Sequence, residues 1–406
     1  MSQAKGNNKN IANENIANIE SNHQKLLLNA VITQKKCASE SKDIAEKVPK
    51  ADENNCIEQI GQVEQMLHLG FMRLNKKAFF KFSNYFTAIF YVAPSFGILP
   101  ILFSPEDVDF SYGTIKGTIL KNGKPETFKT KIPPIVDNSI LDSSYDHFMS
   151  RMDSQAYMIR HGLKTTKLKT YNMLINDGKF SDILIPTIPV KSISDITSIL
   201  DSKGVILKHA SGSGGKSIIK ISTSGSGSYL VTKGNEKFTF SYNELCSFYD
   251  SNIKNRAYLS QPFINSTTKN GEPFDIRIHA RRGANGKFVV TPYPRIGNPK
   301  GVISNIASGG YTMPIDIFLQ SNYGDKNKSI WSKIKQIGDA FPEYYASFFE
   351  AEIFDIGLDI GIDKKGDDFE LYLFEVNTYI GGYKFELEDA VTHCHYYRYL
   401  ADKLKI

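Results

Sequence analysis

Apolar positions change their period along this chain, and those changes divide it. Ile57, Ile60, Val63, Met66 and Leu67 recur at helical spacing on one face. They predict an amphipathic helix whose apolar face docks on the body or on a partner. Before it, residues 1–22 are rich in Asn, Lys and Glu, repeat Ile-Ala-Asn at 11–13 and 16–18, and lack the apolar core of a signal peptide. Residues 1–75 therefore read as a partly disordered N-terminal extension carrying one helix. Residues 76–153 read as a small α/β unit, with apolar runs at 87–92 and 97–103. Segments 114–120 and 126–132 then flank the turn Lys121-Asn122-Gly123-Lys124, a hairpin signature. Pro94, Gly97 and Pro100 interrupt the one long apolar stretch, 86–103, which predicts two buried strands joined by a turn rather than a membrane span. From about residue 154, helix and strand patterns alternate to the end without an obvious break.

The last strands carry the most telling polar residues. Leu371-Tyr372-Leu373-Phe374 runs into Glu375-Val376-Asn377, and successive strand residues alternate faces, so Glu375 and Asn377 share one side. Asp359 lies on the preceding apolar run, 356–362, and the intervening 363–368 is turn chemistry. A hairpin would bring Asp359 beside Glu375 and Asn377. Three hard oxygen donors suit magnesium, which keeps waters or phosphates in its remaining positions. The same pattern also describes a solvated turn.

Upstream, strand 204–208 ends in Lys208, a small-residue loop follows at 209–217, and 218–221 returns as a second strand. Such a loop lets backbone N–H groups approach phosphate oxygens, with Lys208 and Lys216 supplying charge; it lacks Walker A spacing. Segment 256–264, broken by Pro262, suits either a connection lending its backbone to an adenine edge or a plain edge strand. In 274–279, Asp275, Arg277 and His279 alternate with Phe274, Ile276 and Ile278, and Arg295 follows in another short strand. Arginine forks suit phosphate and carboxylate, and structural Asp–Arg pairs give the same pattern.

Composition narrows the class. The chain has 406 residues, 41% hydrophobic and 23% charged, the profile of a globular protein with two or three packed units. A formal charge of +6, scattered among lysines, favours anionic small molecules over nucleic acid as partners. Cys37, Cys56, Cys246 and Cys394 show neither zinc nor disulfide spacing, which predicts a cytoplasmic protein. His393-Cys394-His395 invites a metal reading, but on a helix the two histidines diverge, so packing or surface roles are expected.

In their order, these blocks resemble the ATP-grasp superfamily, and most closely its YheC/YheD-like branch. The resemblance rests on 205–208 with 212–216, Gln261-Pro262-Phe263-Ile264, Phe274-Asp275-Ile276-Arg277, Arg295-Ile296-Gly297 with Ser304-Asn305 and Gly309-Gly310, 355–363, and 374–377. It covers about 85–395 and implies an α+β fold: an ATP-grasp domain over 154–406 with two lobes around the nucleotide, the lid lobe at about 195–262, preceded by the α/β pre-grasp domain and the polar extension. It further implies that ATP is held by Lys167 (Lys169 competing), Lys208, Ser213, Gly215, Lys216, Gln261 and Phe263. Mg2+ would sit on Asp359, Glu375 and Asn377, with Arg277, Arg295 and Asn305 catalytic. The implied activity is an ATP-dependent carboxylate-amine ligase forming an amide through an acylphosphate. Its expected substrates are small-molecule or peptide carboxylates and amines, with the extension left for a protein partner. The alternative is a non-catalytic or weakly catalytic ATP-binding, coat-associated assembly protein. His209, Ser217 and Tyr379-Ile380-Gly381-Gly382 depart from the family's usual residues.

Overall fold

The computed structural model describes residues 66–74, 84–163, 165–211, 218–225, 227–234, 236–298, 309–380 and 384–406. Three sheets follow one another along the chain. The first contains β1 (Leu67–Met72), β2 (Ile98–Phe103), β3 (Val108–Asp109), β4 (Thr114–Lys121), β5 (Lys124–Lys131), β6 (Ile135–Asn138) and β7 (Tyr157–Arg160). Their order is β3-β4-β2-β1-β6-β7, with β5 paired to β4. The β2-β1-β6-β7 core is parallel, and parallel strands need cover on both faces. Helix α1 (Asn84–Val92) packs Phe86, Ile89 and Phe90 against Leu69 and Phe71 on one side. On the other, α2 (Asp146–Asp153) sets Met149 and Met152 against Met72, Ile101 and Phe103.

This sheet corrects two expectations. The apolar run at 87–92 is helix rather than strand, because Phe86, Ile89, Phe90 and Ala93 recur every three or four residues and are buried together. Gly97, at φ +67°, then turns the chain into β2. Residues 67–72, assigned above to the extension, form the central strand β1. Alternating Leu67, Leu69 and Phe71 follow directly on the helical spacing of Ile57, Ile60 and Val63, and the change of period is hard to place. The helix expected over 57–67 otherwise falls outside the described residues. The hairpin at Asn122-Gly123 forms as expected, both residues having positive φ (51° and 72°).

Helix α3 (Lys167–Asp177) leads into the second sheet, built from β8 (Ile188–Pro189), β9 (Val205–His209), β10 (Ile219–Ser224), β11 (Ser228–Lys233), β12 (Glu236–Phe240) and β13 (Tyr258–Pro262). The order is β12-β11-β10-β9-β13-β8, antiparallel throughout. Alternation sorts its residues. Val205, Leu207, Ile219, Ile221 and Val231 pack on α4 (Tyr242–Asn252), while Ile206 and Lys208 stand opposite Gln261 and Leu259 on the other face.

The third sheet is β14 (Phe274–Arg282), β15 (Phe288–Ile296), β16 (Asp355–Lys365) and β17 (Asp368–Asn377), in the antiparallel order β15-β14-β16-β17. One face buries Ile276, Ile278, Ile356, Leu358, Ile360 and Ile362 against α5 (Ile315–Tyr323) and α6 (Asn327–Ala346). Trp331 was expected to pack within α6; it sits 38% exposed, while Ile330, Ile334, Ile337 and Phe341 form the buried stripe. The opposite face of the sheet carries Asp275, Arg277, His279 and Arg281 beside Asp355, Asp359 and Asp363. Helix α7 (Glu386–Leu404) covers one end of that face. No helix among the described residues is long and apolar enough to cross a membrane.

Where α7 meets the sheets, buried charges form a chain. Asp137 of β6 binds Arg73 at 2.6 Å, His161 at 3.0 Å and the Tyr397 hydroxyl at 2.7 Å. Asp355 of β16 faces His393 at 3.3 Å and His279 at 3.4 Å, and His161 lies 4.0 Å from it. Asp389 of α7 pairs with Arg281 at 2.7 Å. His395 instead packs edge-on against Phe96, so the two histidines of the 393–395 triplet do diverge. The intervening Cys394 thiol is pushed up to about 12 by burial and is inert as a nucleophile near neutrality.

Burial alone would raise Asp355 and Asp137. Their histidine partners, with Arg73 at Asp137, more than reverse this and hold both carboxyls well below the usual range. Each acid is thus ionised in the fold under conditions where the unfolded chain takes up a proton, from about pH 4 downward. Their stabilisation is complete above that pH and is lost as pH falls through the folded values. Asp355→Asn keeps the shape and removes the charge, so it should cost about 3–5 kcal/mol at neutral pH. Calorimetric melting should show the gap to wild type narrowing from about pH 5 to about pH 2; a constant gap would contradict an ionised Asp355.

Candidate nucleotide and metal site

The site follows from alternation along β16. Asp355, Gly357, Asp359, Gly361 and Asp363 share the polar face, and the two glycines leave room for what crosses it. A Cβ at Gly357 would come within 2.9 Å of the Arg277 guanidinium, and one at Gly361 would strike the Phe374 ring. Asp359 pairs with Glu375 and Gly357 with Asn377, so the expected convergence of Asp359, Glu375 and Asn377 occurs. The ladder slips by one residue between Asp359 and Ile360, because Phe374 is bulged out of β17. Its carbonyl then receives the Lys208 ammonium at 3.4 Å.

Each acid meets a cation. Arg277 donates to Asp359 through Nε at 2.5 Å and Nη2 at 3.3 Å. Arg295 grips Asp275 with two bonds of 2.7 Å and reaches Asp359 at 2.9 Å. Lys167 lies 2.9 Å from Glu375. Asp359 is 7% exposed; burial by itself would raise its carboxyl, and Arg277 and Arg295 overcome that and lower it. Lys208 is lowered mainly by burial, with Lys167 adding to the effect and Glu375 opposing it. Lys167, Lys208, Arg277 and Arg295 set four positive charges against three on Asp275, Asp359 and Glu375. The surplus favours an anion.

Between the second and third sheets is a cavity of about 390 Å³, lined by Lys167, Lys208, Gln261, Glu375 and Asn377 among others. The N-terminus of α3 opens onto it, with Thr166 capping the Lys169 amide at 3.2 Å. Of the two competing lysines, Lys167 lines the cavity and holds Glu375. Arg277, Arg295 and Asp359 stand immediately behind Glu375. Phe263 is displaced from its expected place: it pairs with Gly204 beyond β13, and the Lys220 ammonium lies 3.3 Å from its ring. Ser213, Gly215, Lys216 and Asn305 lie outside the described residues.

The donor chemistry fits a magnesium ion. Asn377 donates its amide nitrogen to Asp359 at 3.3 Å, which turns its oxygen away to join those of the two carboxylates. Among the described residues no three His, Cys, Asp or Glu form a metal cage. The set is two acids and an amide, so phosphate oxygens and water would complete the coordination.

Sequence reading missed Thr187, Tyr171, Thr378 and Tyr379 in the cavity wall and Asp275 as the anchor of Arg295. The period-2 pattern placed Asp275 on the polar face. Nothing local marked the other four.

The family model for YheC/D-like ATP-grasp proteins matches residues 157–400. The endospore coat-associated protein YheC of Bacillus subtilis (strain 168) is 24% identical over 333 residues, spanning 77% of this chain and 88% of its own. YheD of the same organism, also named endospore coat-associated, is 21% identical over 348 residues, spanning 79% and 72%. Among solved structures, N5-carboxyaminoimidazole synthetase from Staphylococcus aureus aligns over 80% of this chain and 76% of its own, with TM-score 0.45 and 11% identity.

The close approach at Gly361 makes a structural prediction. Gly361→Val should displace the Phe374 ring and cost about 1–3 kcal/mol by overpacking, with Phe374→Ala restoring part of the loss in the double variant. Urea titration reads both effects, and a Gly361→Val protein as stable as wild type would remove the glycine from this role.

Proposed function

The chain belongs to the YheC/D-like ATP-grasp family, and from that premise we propose that it is an ATP-dependent carboxylate-amine ligase acting on an amino acid or peptide through an acylphosphate. The observation that carries this reading is the joining of Lys167 and Lys208, Arg277 and Arg295, and the Asp359-Glu375-Asn377 oxygen set at one cavity. The reaction requires that set. A carboxylate oxygen attacks the γ-phosphorus and ADP leaves; an amine then attacks the acyl carbon, loses its proton and expels phosphate.

Two anions must meet in the first step, and their repulsion is the main electrostatic barrier. Lys208 and Lys167 bind and orient the phosphates, while Arg277 and Arg295 lie where charge develops on the transferring group. Arg277 and Arg295 are pre-oriented by Asp359 and Asp275, so little reorganisation is needed during reaction. Asp359, Glu375 and Asn377 would hold magnesium, which supplies Lewis-acid neutralisation of the phosphate oxygens. Ser213, Gly215, Lys216 and Asn305 are assigned to the phosphates on the family resemblance. The names of the two Bacillus relatives speak of the endospore coat and not of a reaction, so the chemistry needs a direct test.

Lys208→Ala should weaken ATP binding by about 1.5–3 kcal/mol, the value of a charged hydrogen bond, as read by calorimetry. Glu375→Gln should cut phosphate release from ATP, measured with an amino-acid and peptide pool, by about a hundredfold or more while leaving the melting curve in place. Hydroxylamine should trap an acylphosphate as a hydroxamate in wild type, and much less in Arg277→Lys or Arg295→Lys, because lysine lacks the two-donor fork. ATP hydrolysis without hydroxamate or amide would favour the non-ligase assembly protein; unchanged turnover in Glu375→Gln would make the hairpin acids structural.

A further inference from the structure

One polar atom in the cavity wall is left without a partner. Gln261 donates from Nε2 to Thr187 Oγ1 at 2.8 Å, and the Thr187 hydroxyl donates to the Ile185 carbonyl, also at 2.8 Å. A hydroxyl has one proton. Since that proton goes to Ile185, Thr187 can only accept from Gln261, and the amide cannot turn over without setting two oxygens against each other. The relay therefore fixes the Gln261 amide, leaving Oε1 as a buried acceptor with no hydrogen-bond partner on a residue that lines the cavity. A buried acceptor left unpaired is costly, and one in a ligand cavity is completed by an N–H of the ligand.

Its position identifies the part of the ligand concerned. On the cavity side of the second sheet, Lys208 stands opposite Leu259 and Ile206 opposite Gln261. Gln261 is thus one pleat, about 7 Å, along the strand from the phosphate-side lysine. Leu184, Ile185 and Leu259 add apolar wall next to it. Apolar walls with one fixed acceptor describe a seat for a flat heterocycle carrying an amino group.

We propose that Gln261 Oε1, held in place by the Thr187–Ile185 relay, selects a 6-aminopurine over a 6-oxopurine. Gln261 is the specificity residue and Thr187 its positioning residue. The inference rests on the nucleotide reading of the cavity given above. An exocyclic amine donates to Oε1; a 6-oxo group would place oxygen against oxygen, and the relay prevents the amide from flipping to accommodate it. Sites built around a fixed hydrogen bond discriminate strongly against analogues that leave it unmade.

Calorimetric titration of the full chain with ATP, inosine triphosphate and purine riboside triphosphate, each with magnesium, tests this directly. Wild type should bind ATP at least about tenfold more tightly than the inosine nucleotide, with the unsubstituted purine between them. Thr187→Val should bring the ATP-to-inosine ratio close to one, and Thr187→Ser, which restores the relay, should recover it. Gln261→Leu should also abolish the preference, so the proposal does not depend on how well Thr187→Val folds. A merely structural role for Thr187 would change all affinities together and leave the ratio intact, which would overturn the proposal. Equal binding of ATP and inosine triphosphate by wild type would overturn it while leaving the nucleotide site standing; no binding of any of the three would remove that reading as well.

Discussion

A pleated strand cannot choose which of its alternate residues go to one face, and in β14 and β16 that face is both charged and buried. Asp275, Arg277, His279 and Arg281 project beside Asp355, Asp359 and Asp363. Isolated charges there would be prohibitively expensive. The register resolves this by setting Arg277 opposite Asp359 and Asp275 opposite Arg295, so that the pairs form when the ladder forms. A one-residue slip would send these charges into the apolar layer against α6 and the isoleucines to the polar side. Strand register, core packing and site geometry are therefore one constraint.

The same polar face is used in two ways along its length. Under α7, Asp355 is closed in by His279 and His393, and Asp137 joins it from the first sheet through His161; these groups hold sheets together. Toward the other end, Asp359 and Glu375 reach a cavity, and their cation partners leave a positive surplus there. Burial under a helix makes one set of charges structural. Exposure to a cavity makes the other available for chemistry.

How much of this was legible in the sequence depended on the range of the interaction. The Asp359–Glu375 pairing could be read because alternation and a six-residue turn are local signals, and Lys208 because its strand ends in a loop of small residues. The Phe374 bulge could not, since nothing near Phe374 shows that its ring crosses Gly361. Residues 67–72 were taken into the extension because their apolar spacing continues that of Ile57 to Val63, and residues 87–92 were read as strand although their burial follows helical spacing. The Asp137-His161-Asp355-His393 chain draws on distant segments that only the folded topology brings together. Thr187 was invisible for a related reason: its role depends on a carbonyl two residues before it and a side chain on another strand.

The central claim is that this cavity joins the γ-phosphoryl group of ATP to a carboxylate. The most direct measurement follows an oxygen atom: the protein is incubated with Mg-ATP and a pool of amino acids and peptides labelled with oxygen-18 in their carboxylates, and the released phosphate is examined by phosphorus NMR. Passage through an acylphosphate predicts that one labelled oxygen appears in each phosphate formed with product. ATP-dependent product accompanied by unlabelled phosphate would contradict the account.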